Sequence, residues 1–459
     1  MVSNHPNHYD LKGVIHMKAL YTQTSIICKL KKAFFEIFSE EGKHTKEQLF
    51  DLLTSVLCLN GFQSVKYCFD HFIENMSENK LKSYYFTLNE SKIDLSKWMK
   101  NLVKMALSVI PEKLFDNLII LSIDDTMVEK YGEHFENREL LFDHAVHNGS
   151  NYLNGHCFVS IMLSIPIYDK GTVRYISFPV GYRMWTKDKT KLAMTADLVT
   201  DVMDIIGSER NVCLLCDSWY PKAEITELPQ KHENLAIICN VRHDTALYDL
   251  PPEKNGKKGR PKVRGDKLTL EDFDFSSIDG TEYSVGSRPV ITRLFGNRTV
   301  HAIVTKTKSG STRLFICTKS PEQLNFDFNS TELGRAALFA KTDIQFLPLT
   351  IYSLRWNIEV AYYEQKKFWS FGAYMLRSKV GIERLTNLLS VLYAFMTLLP
   401  FYDSTFVCLA SNSPQQSRFI IGMNIWKELF SMAFDTRLTS SKNVAFLPFA
   451  LVLRNSVIY

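Results

Sequence analysis

Between residues 18 and 110, apolar side chains recur at intervals of three and four, in K-K-A-F-F-E-I-F, K-E-Q-L-F-D-L-L-T-S-V-L and S-K-W-M-K-N-L-V-K-M-A-L. That period buries one stripe of a helix. Residues 1–110 are therefore expected to form a helical N-terminal domain, whose lysines make it a candidate for touching DNA. Beyond Pro111 the pattern shortens to compact apolar runs. Those at 118–123, 158–167, 173–182, 212–216 and 235–241 predict strands, the first ending in Asp124-Asp125-Thr126. K-L-A-M-T-A-D-L-V-T-D-V-M-D-I-I, at 191–206, predicts a helix. The expected order over 111–243 is three strands, helix, strand, helix, strand.

At 251–267 the run P-P-E-K-N-G-K-K-G-R-P-K-V-R-G-D-K cannot hold regular structure. Alternating segments such as T-V-H-A-I-V-T and T-R-L-F-I-C-T, with turn signals between them, then predict a β-rich insertion over 244–340. Helices return over 341–400. The longest apolar run, L-L-S-V-L-Y-A-F-M-T-L-L-P-F-Y from Leu388, is broken by Pro400 and is short of the roughly 20 residues that span a bilayer. It reads as a buried helix. Residues 401–459 contain one helical piece, N-I-W-K-E-L-F-S-M-A-F, and receive no role.

Composition narrows this picture only slightly. A chain of 459 residues, 46% apolar and 22% charged, suits two or three globular domains. The net charge of +5 permits a polyanionic partner without requiring one. Nine scattered cysteines read as reduced thiols of a cytoplasmic protein. Cys213 and Cys216 form a C-x-x-C, but it lies inside a predicted strand without a second pair, so no zinc site is expected. M-V-S-N-H-P-N-H-Y-D has no apolar h-region, and no cleaved signal peptide is expected.

Candidate chemistry gathers in Y-S-L-R-W-N-I-E-V-A-Y-Y-E-Q-K-K at 352–367. On one helix, at roughly 100° per residue, Tyr352, Arg355, Glu359 and Lys366 fall within an arc of about 60°. Beside them Ile351, Leu354, Ile358 and Ala361 form a stripe that can dock on a core. Alone, this face is also explained by a surface Arg355–Glu359 pair. Asp124 and Asp217 each follow an apolar strand, and strand ends in an open sheet face the crevice where ligands bind. Convergence of Asp124, Asp217 and Glu359 would give the hard oxygen donors that Mg²⁺ or Mn²⁺ prefers. Two such ions suit phosphodiester cleavage or transfer, with Arg355 and Lys366 placed for phosphate oxygens.

Asp124 in I-D-D-T, Asp217 in L-C-D-S-W-Y and Y-x2-R-x3-E-x6-K at Tyr352, Arg355, Glu359 and Lys366 resemble the bacterial insertion-sequence DDE transposases of the Y-R-E-K signature group. The resemblance runs from about residue 115 to 400 and includes L-C-D-S-W-Y-P-K and I-I-C-N-V-R-H-D-T. It implies an α/β protein with an RNase H-like catalytic core over 111–243 and 341–400, a helical N-terminal domain, and a β-rich insertion between the second Asp and the Glu. It also implies cut-and-paste transposition with two Mg²⁺ or Mn²⁺ ions: cleavage at the element's ends, then attack by the freed 3′-hydroxyl. The partners implied are double-stranded DNA, as terminal inverted repeats and target, and a second copy of the chain on paired ends. Tyr352, Arg355 and Lys366 would hold the DNA end. Asp124 and Asp125 compete for the first metal position. Alternation along a strand puts Thr126 on the face of Asp124, which favours Asp124. Relatives that form DNA hairpins can hold a flipped base with an insertion aromatic, often tryptophan; residues 244–340 contain no Trp, leaving Tyr248, Tyr283 and Phe295.

A metal-dependent DNA endonuclease of the same fold without strand transfer, and a non-catalytic DNA-binding remnant, remain as alternatives. Lys257, Lys258, Arg260, Lys262 and Arg264 make a positive loop whose G-R-P-K is similar to the core of an AT-hook. It reads equally as a phosphate-binding segment and as a solubilising loop. His144, His147 and His156 read as polar fillers near the first aspartate. No G-x-x-x-x-G-K-[ST] is present to support an ATP-driven mechanism.

Overall fold

The computed structural model describes residues 25–59, 61–147, 150–252, 262–278, 281–324 and 342–439. The chain divides into two compact units.

The first unit takes residues 1–93, 373–375 and 413–459. Its helices are α1 (Ile26–Ile37), α2 (Lys43–Cys58), α3 (Val65–His71), α4 (Leu81–Asn89) and a C-terminal helix, Pro414–Thr439. Ser25 starts α1 by accepting the Cys28 N–H, and Ile27, Leu30, Phe34 and Ile37 bury its apolar stripe. Glu428 of the C-terminal helix accepts the Ile26 N–H at 3.0 Å, placing a carboxylate at the positive end of α1. Trp426 donates its Nε1–H to the Cys58 carbonyl at 3.0 Å. A Cβ at Gly422 would lie 2.1 Å from the Leu57 oxygen, so only glycine allows this close crossing. Residues 414–432, assigned no role from sequence, thus complete the core of the helical unit.

The second unit takes residues 94–372 and 376–412. It includes α5 (Leu95–Ser108), the last of the helices expected before Pro111. The cause is packing: α5 buries Trp98, Met99, Leu102 and Val103, and a Cβ at Gly181 would lie 3.1 Å from the Met99 sulfur.

The core strands are β1 (Ile119–Glu129), β2 (Glu139–His147), β3 (Ser150–Asp169), β4 (Thr172–Met184), β5 (Val212–Cys216) and β6 (Leu235–Val241). β4, β3 and β1 pair antiparallel, and β1, β5 and β6 pair parallel. Helix α6 (Lys191–Ile206) joins β4 to β5, and two short helices, α7 (Ala223–Thr226) and α8 (Leu228–Lys231), join β5 to β6. All five residues of β5 are buried, as expected of a parallel strand covered on both faces. Two features escaped the periodicity. β1 runs on to Glu129 because β3 continues to pair with it after β5 has ended, and β2 pairs with an early extension of β3.

The segment after β6 adds β7 (Leu247–Tyr248), β8 (Lys267–Leu268), β9 (Phe275–Ser277), β10 (Tyr283–Thr292), β11 (Arg298–Thr307) and β12 (Thr312–Cys317). β12 pairs antiparallel with β6, so these strands prolong the core sheet to twelve strands among the described residues. Lys257, Lys258 and Arg260 lie outside the described residues.

Neighbouring residues of β4 separate the two sheet faces. Gly181 faces Met99 of α5 and Leu198 of α6. Tyr182 accepts the Gln365 Nε2–H at 2.8 Å, and its backbone bonds Asn387. That second face carries α9 (Leu347–Ser353), α10 (Trp356–Phe368) and α11 (Lys379–Tyr402). Among the described residues α11 is the one helix long and apolar enough to cross a membrane, and 83% of that stretch is buried inside the protein. Pro400 lies inside it, two residues before its end.

Candidate active site

The register of the parallel strands brings the two aspartates side by side. Ser122 of β1 stands opposite Leu215 of β5. Asp124 and Asp217 each lie two residues further on, at the level where β5 stops. Asp217 leaves the strand in a turn, its Oδ1 accepting the Trp219 N–H at 3.0 Å.

The third carboxylate arrives on α10. The expected single helix is instead two, α9 and α10, joined at Leu354 and Arg355 by tighter i to i+3 bonds, from Leu354 N–H to Ile351 O and from Arg355 N–H to Tyr352 O. Ile351, Leu354, Ile358 and Ala361 are buried, as the stripe predicts. Polar bonds then set the placement of α10 on the sheet. Asn357 donates to Ser177 Oγ at 3.0 Å, and the Tyr362 and Ser160 hydroxyls meet at 2.5 Å. Ser160 is the cross-strand partner of Asp124.

Arg355 occupies the space among the carboxylates. Its Nη2 is 2.5 Å from Glu359 Oε1 and its Nη1 is 3.6 Å from Asp124 Oδ2, with only 13% of the arginine side chain exposed. Burial opposes its charge, but the bond to Glu359 and the nearby Tyr352, Glu359 and Asp124 hold its pKa above the ordinary value. Asp124 is pushed up to about 7, first by burial and then by the charges of Asp217 and Asp125, with the Asp125 N–H acting in the opposite sense. Among the described residues no three His, Cys, Asp or Glu side chains lie close enough together to hold a metal ion. The guanidinium stands between Asp124 and Glu359.

Asp125 faces the other way and is fully engaged. Its Oδ2 accepts from Lys191 Nζ at 2.8 Å and from Cys157 Sγ at 3.2 Å, and its Oδ1 accepts from the Tyr220 hydroxyl at 3.1 Å. Sequence reasoning missed Lys191, Tyr220, Ser160 and Tyr362. For Tyr220 alone there was a local signal, its place three residues after Asp217.

Tyr352 donates its hydroxyl to the Cys216 carbonyl at 3.3 Å, and its ring meets the edge of Phe315 at 5.0 Å between centroids. It braces the chain just before Asp217. Lys366 is exposed about two turns beyond Glu359. Lys262 lies elsewhere, in an open cleft of about 530 Å³ lined also by Val263, Arg264, Gly265, Arg293 and Asn297. Arg264 stacks its guanidinium 4.0 Å from the Tyr248 ring centroid. His156 is buried with Nε2 2.9 Å from the Glu136 carbonyl, a structural place; the side chains of His144 and His147 lie outside the description. The nine cysteines are free thiols, and Cys213 and Cys216 are buried in β5.

No curated protein matches the chain. A family model described as DDE superfamily endonuclease matches residues 34–275, which is more than half of the sequence and includes Asp124, Asp125 and Asp217. The chain belongs to the DDE superfamily endonucleases.

Proposed function

We propose that this chain is a DNA transposase of the cut-and-paste kind, with an RNase H-like core whose metal ligands are Asp124, Asp217 and Glu359. One observation carries the reading: Asp124 and Asp217 stand at the same level, where β5 ends beside the continuing β1, and Glu359 shares one guanidinium with Asp124.

In donor type the set suits divalent ions, although the three side chains are not gathered around one point here. All three residues offer hard oxygens. The pKa of Asp124, pushed up to about 7 by burial and by Asp217, marks an excess of buried negative charge that a cation would relieve. Mg²⁺ or Mn²⁺, in one or two ions, supplies activation of the attacking water or 3′-hydroxyl and stabilisation of the leaving oxygen.

The protein's own part is positioning. Tyr352 and Phe315 hold the end of β5, Asn357 and Tyr362 hold α10, and together they set where Glu359 and Arg355 stand relative to Asp124. Arg355 is paired with Glu359 and Asp124 here; if bound cations took over those carboxylates, its planar fork would be free to bind a non-bridging phosphate oxygen of the scissile strand. Lys366, one helix face further along, and the Lys262–Arg264–Arg293 cleft supply phosphate contacts that register the duplex without reading its sequence. A homodimer on two paired ends completes the proposed working assembly.

Incubation with DNA carrying the inverted repeats that flank the gene, in Mg²⁺ or Mn²⁺, tests the reading. Cleavage followed by joining of the 3′ end to a second duplex is expected. Cleavage alone would leave an endonuclease, and binding alone a non-catalytic remnant.

A further inference from the structure

Asp124 and Asp125 are adjacent acids within β1, and only Asp124 faces Arg355. What separates them is the set of partners around Asp125. Lys191, the first residue of α6, places Nζ 2.8 Å from Asp125 Oδ2, and the two side chains are only 18% and 17% exposed. Tyr220, itself 1% exposed, donates to Oδ1, and the Cys157 thiol donates to Oδ2. Lys191 is held in turn between two indoles, 5.5 Å from the Trp185 ring centroid and 5.8 Å from that of Trp219. Four elements therefore meet on one carboxylate: β1, β3, α6 and the turn after β5. Both oxygens of Asp125 are occupied, and the ammonium balances its charge.

A buried carboxylate whose cation is removed does not stay passive. It keeps its charge cost and seeks another partner. The acidic pair Asp124 and Asp217, whose charges already repel each other, begins one residue away in the chain.

We propose that Lys191, assisted by Tyr220, is a positioning residue that keeps Asp125 out of the metal site, so that Asp124 alone of the adjacent pair serves it. This rests on the reading of Asp124, Asp217 and Glu359 as metal ligands. Lys191 touches neither metal nor DNA; it acts through Asp125. Because Tyr220 follows Asp217 by three residues, the same cluster also ties the turn carrying Asp217 to the strand carrying Asp124.

The test is Mn²⁺ binding by the full-length protein without DNA, measured by calorimetry, with thermal unfolding in EDTA as the control for folding. Asp124→Asn is expected to lose Mn²⁺ binding. Lys191→Met is expected to tighten it at least tenfold, because the freed Asp125 carboxylate adds a donor to the site, and to lower Tm in EDTA, since Asp125 is left unpaired. Adding Asp125→Asn to Lys191→Met is expected to bring Mn²⁺ affinity back to within threefold of wild type and to restore most of the Tm, a rescue that lost packing alone would not produce. A double variant that binds Mn²⁺ as tightly as Lys191→Met alone would overturn the proposal, because the change would then owe nothing to Asp125. Should Lys191→Met itself fail to fold, the folded double variant still decides the matter by its Mn²⁺ affinity. Wild-type affinity in Asp124→Asn would instead remove the metal-site reading on which the inference stands.

Discussion

Arg355 bonds Glu359 through Nη2 at 2.5 Å while its Nη1 lies 3.6 Å from Asp124, so one guanidinium spans two acids from different elements. In the proposed metal site the arginine would compete with cations for the carboxylates. Arg355→Gln is therefore expected to bind Mn²⁺ in the absence of DNA as tightly as wild type or more tightly, while DNA cleavage falls by about 100-fold or more through loss of a phosphate contact. Calorimetry and a single-turnover cleavage assay separate the two effects. Weaker Mn²⁺ binding would mean that Arg355 organises the ligands instead of competing with cations.

Asp124 predicts an unusual dependence of stability on pH. Its folded pKa, about 7, is above the ordinary 3.8. Below 3.8 both folded and unfolded forms carry the proton, and the residue makes no difference. As pH rises toward 7 the unfolded chain releases its proton first, so the folded state loses stability across that window and the cost is constant above it. Asp124→Asn removes this cost. In EDTA it is expected to exceed wild type by roughly 2–4 kcal/mol at pH 8 and to match it near pH 3.5, read from denaturant melts. Mn²⁺ is expected to abolish the advantage at pH 8.

The cleft at Lys262, Arg264 and Arg293 gives an electrostatic signature. Replacing Arg264 and Arg293 by alanine is expected to weaken DNA binding regardless of sequence and to reduce the slope of log K against log salt by about 2. Cleavage of saturating DNA is expected to keep its wild-type rate. An unchanged slope would assign these cations to solubility alone.

Tyr352 contributes one hydrogen bond to the Cys216 carbonyl, while Phe315 holds its ring. Tyr352→Phe is expected to cost about 0.5–1.5 kcal/mol of stability. DNA-end binding that drops tenfold at intact stability would show that the hydroxyl leaves the carbonyl for the DNA.

Much of this was legible in the sequence, and for definite reasons. β5 and β6 are continuous apolar runs because parallel strands are buried on both faces. The docking stripe of Ile351, Leu354, Ile358 and Ala361 follows from helical spacing alone. Other features depend on contacts between distant residues. The length of β1 is set by β3, and the placement of α5 by Gly181 of β4. The role of 414–432 rests on Glu428 and Trp426 meeting α1 and α2. Most of all, the distinction between Asp124 and Asp125 lies in Lys191, which is 66 positions away in the chain. Alternation assigns them to opposite faces, but only the partners on each face tell which one is available.

The most direct measurement is the anomalous difference map of a crystal soaked in Mn²⁺. Density bridging Asp124 and Asp217, reached by Glu359 and with Arg355 turned away from the carboxylates, is the predicted result. Manganese held by Asp125 with Lys191 displaced, or no manganese at Asp124 and Asp217 at all, would contradict the account.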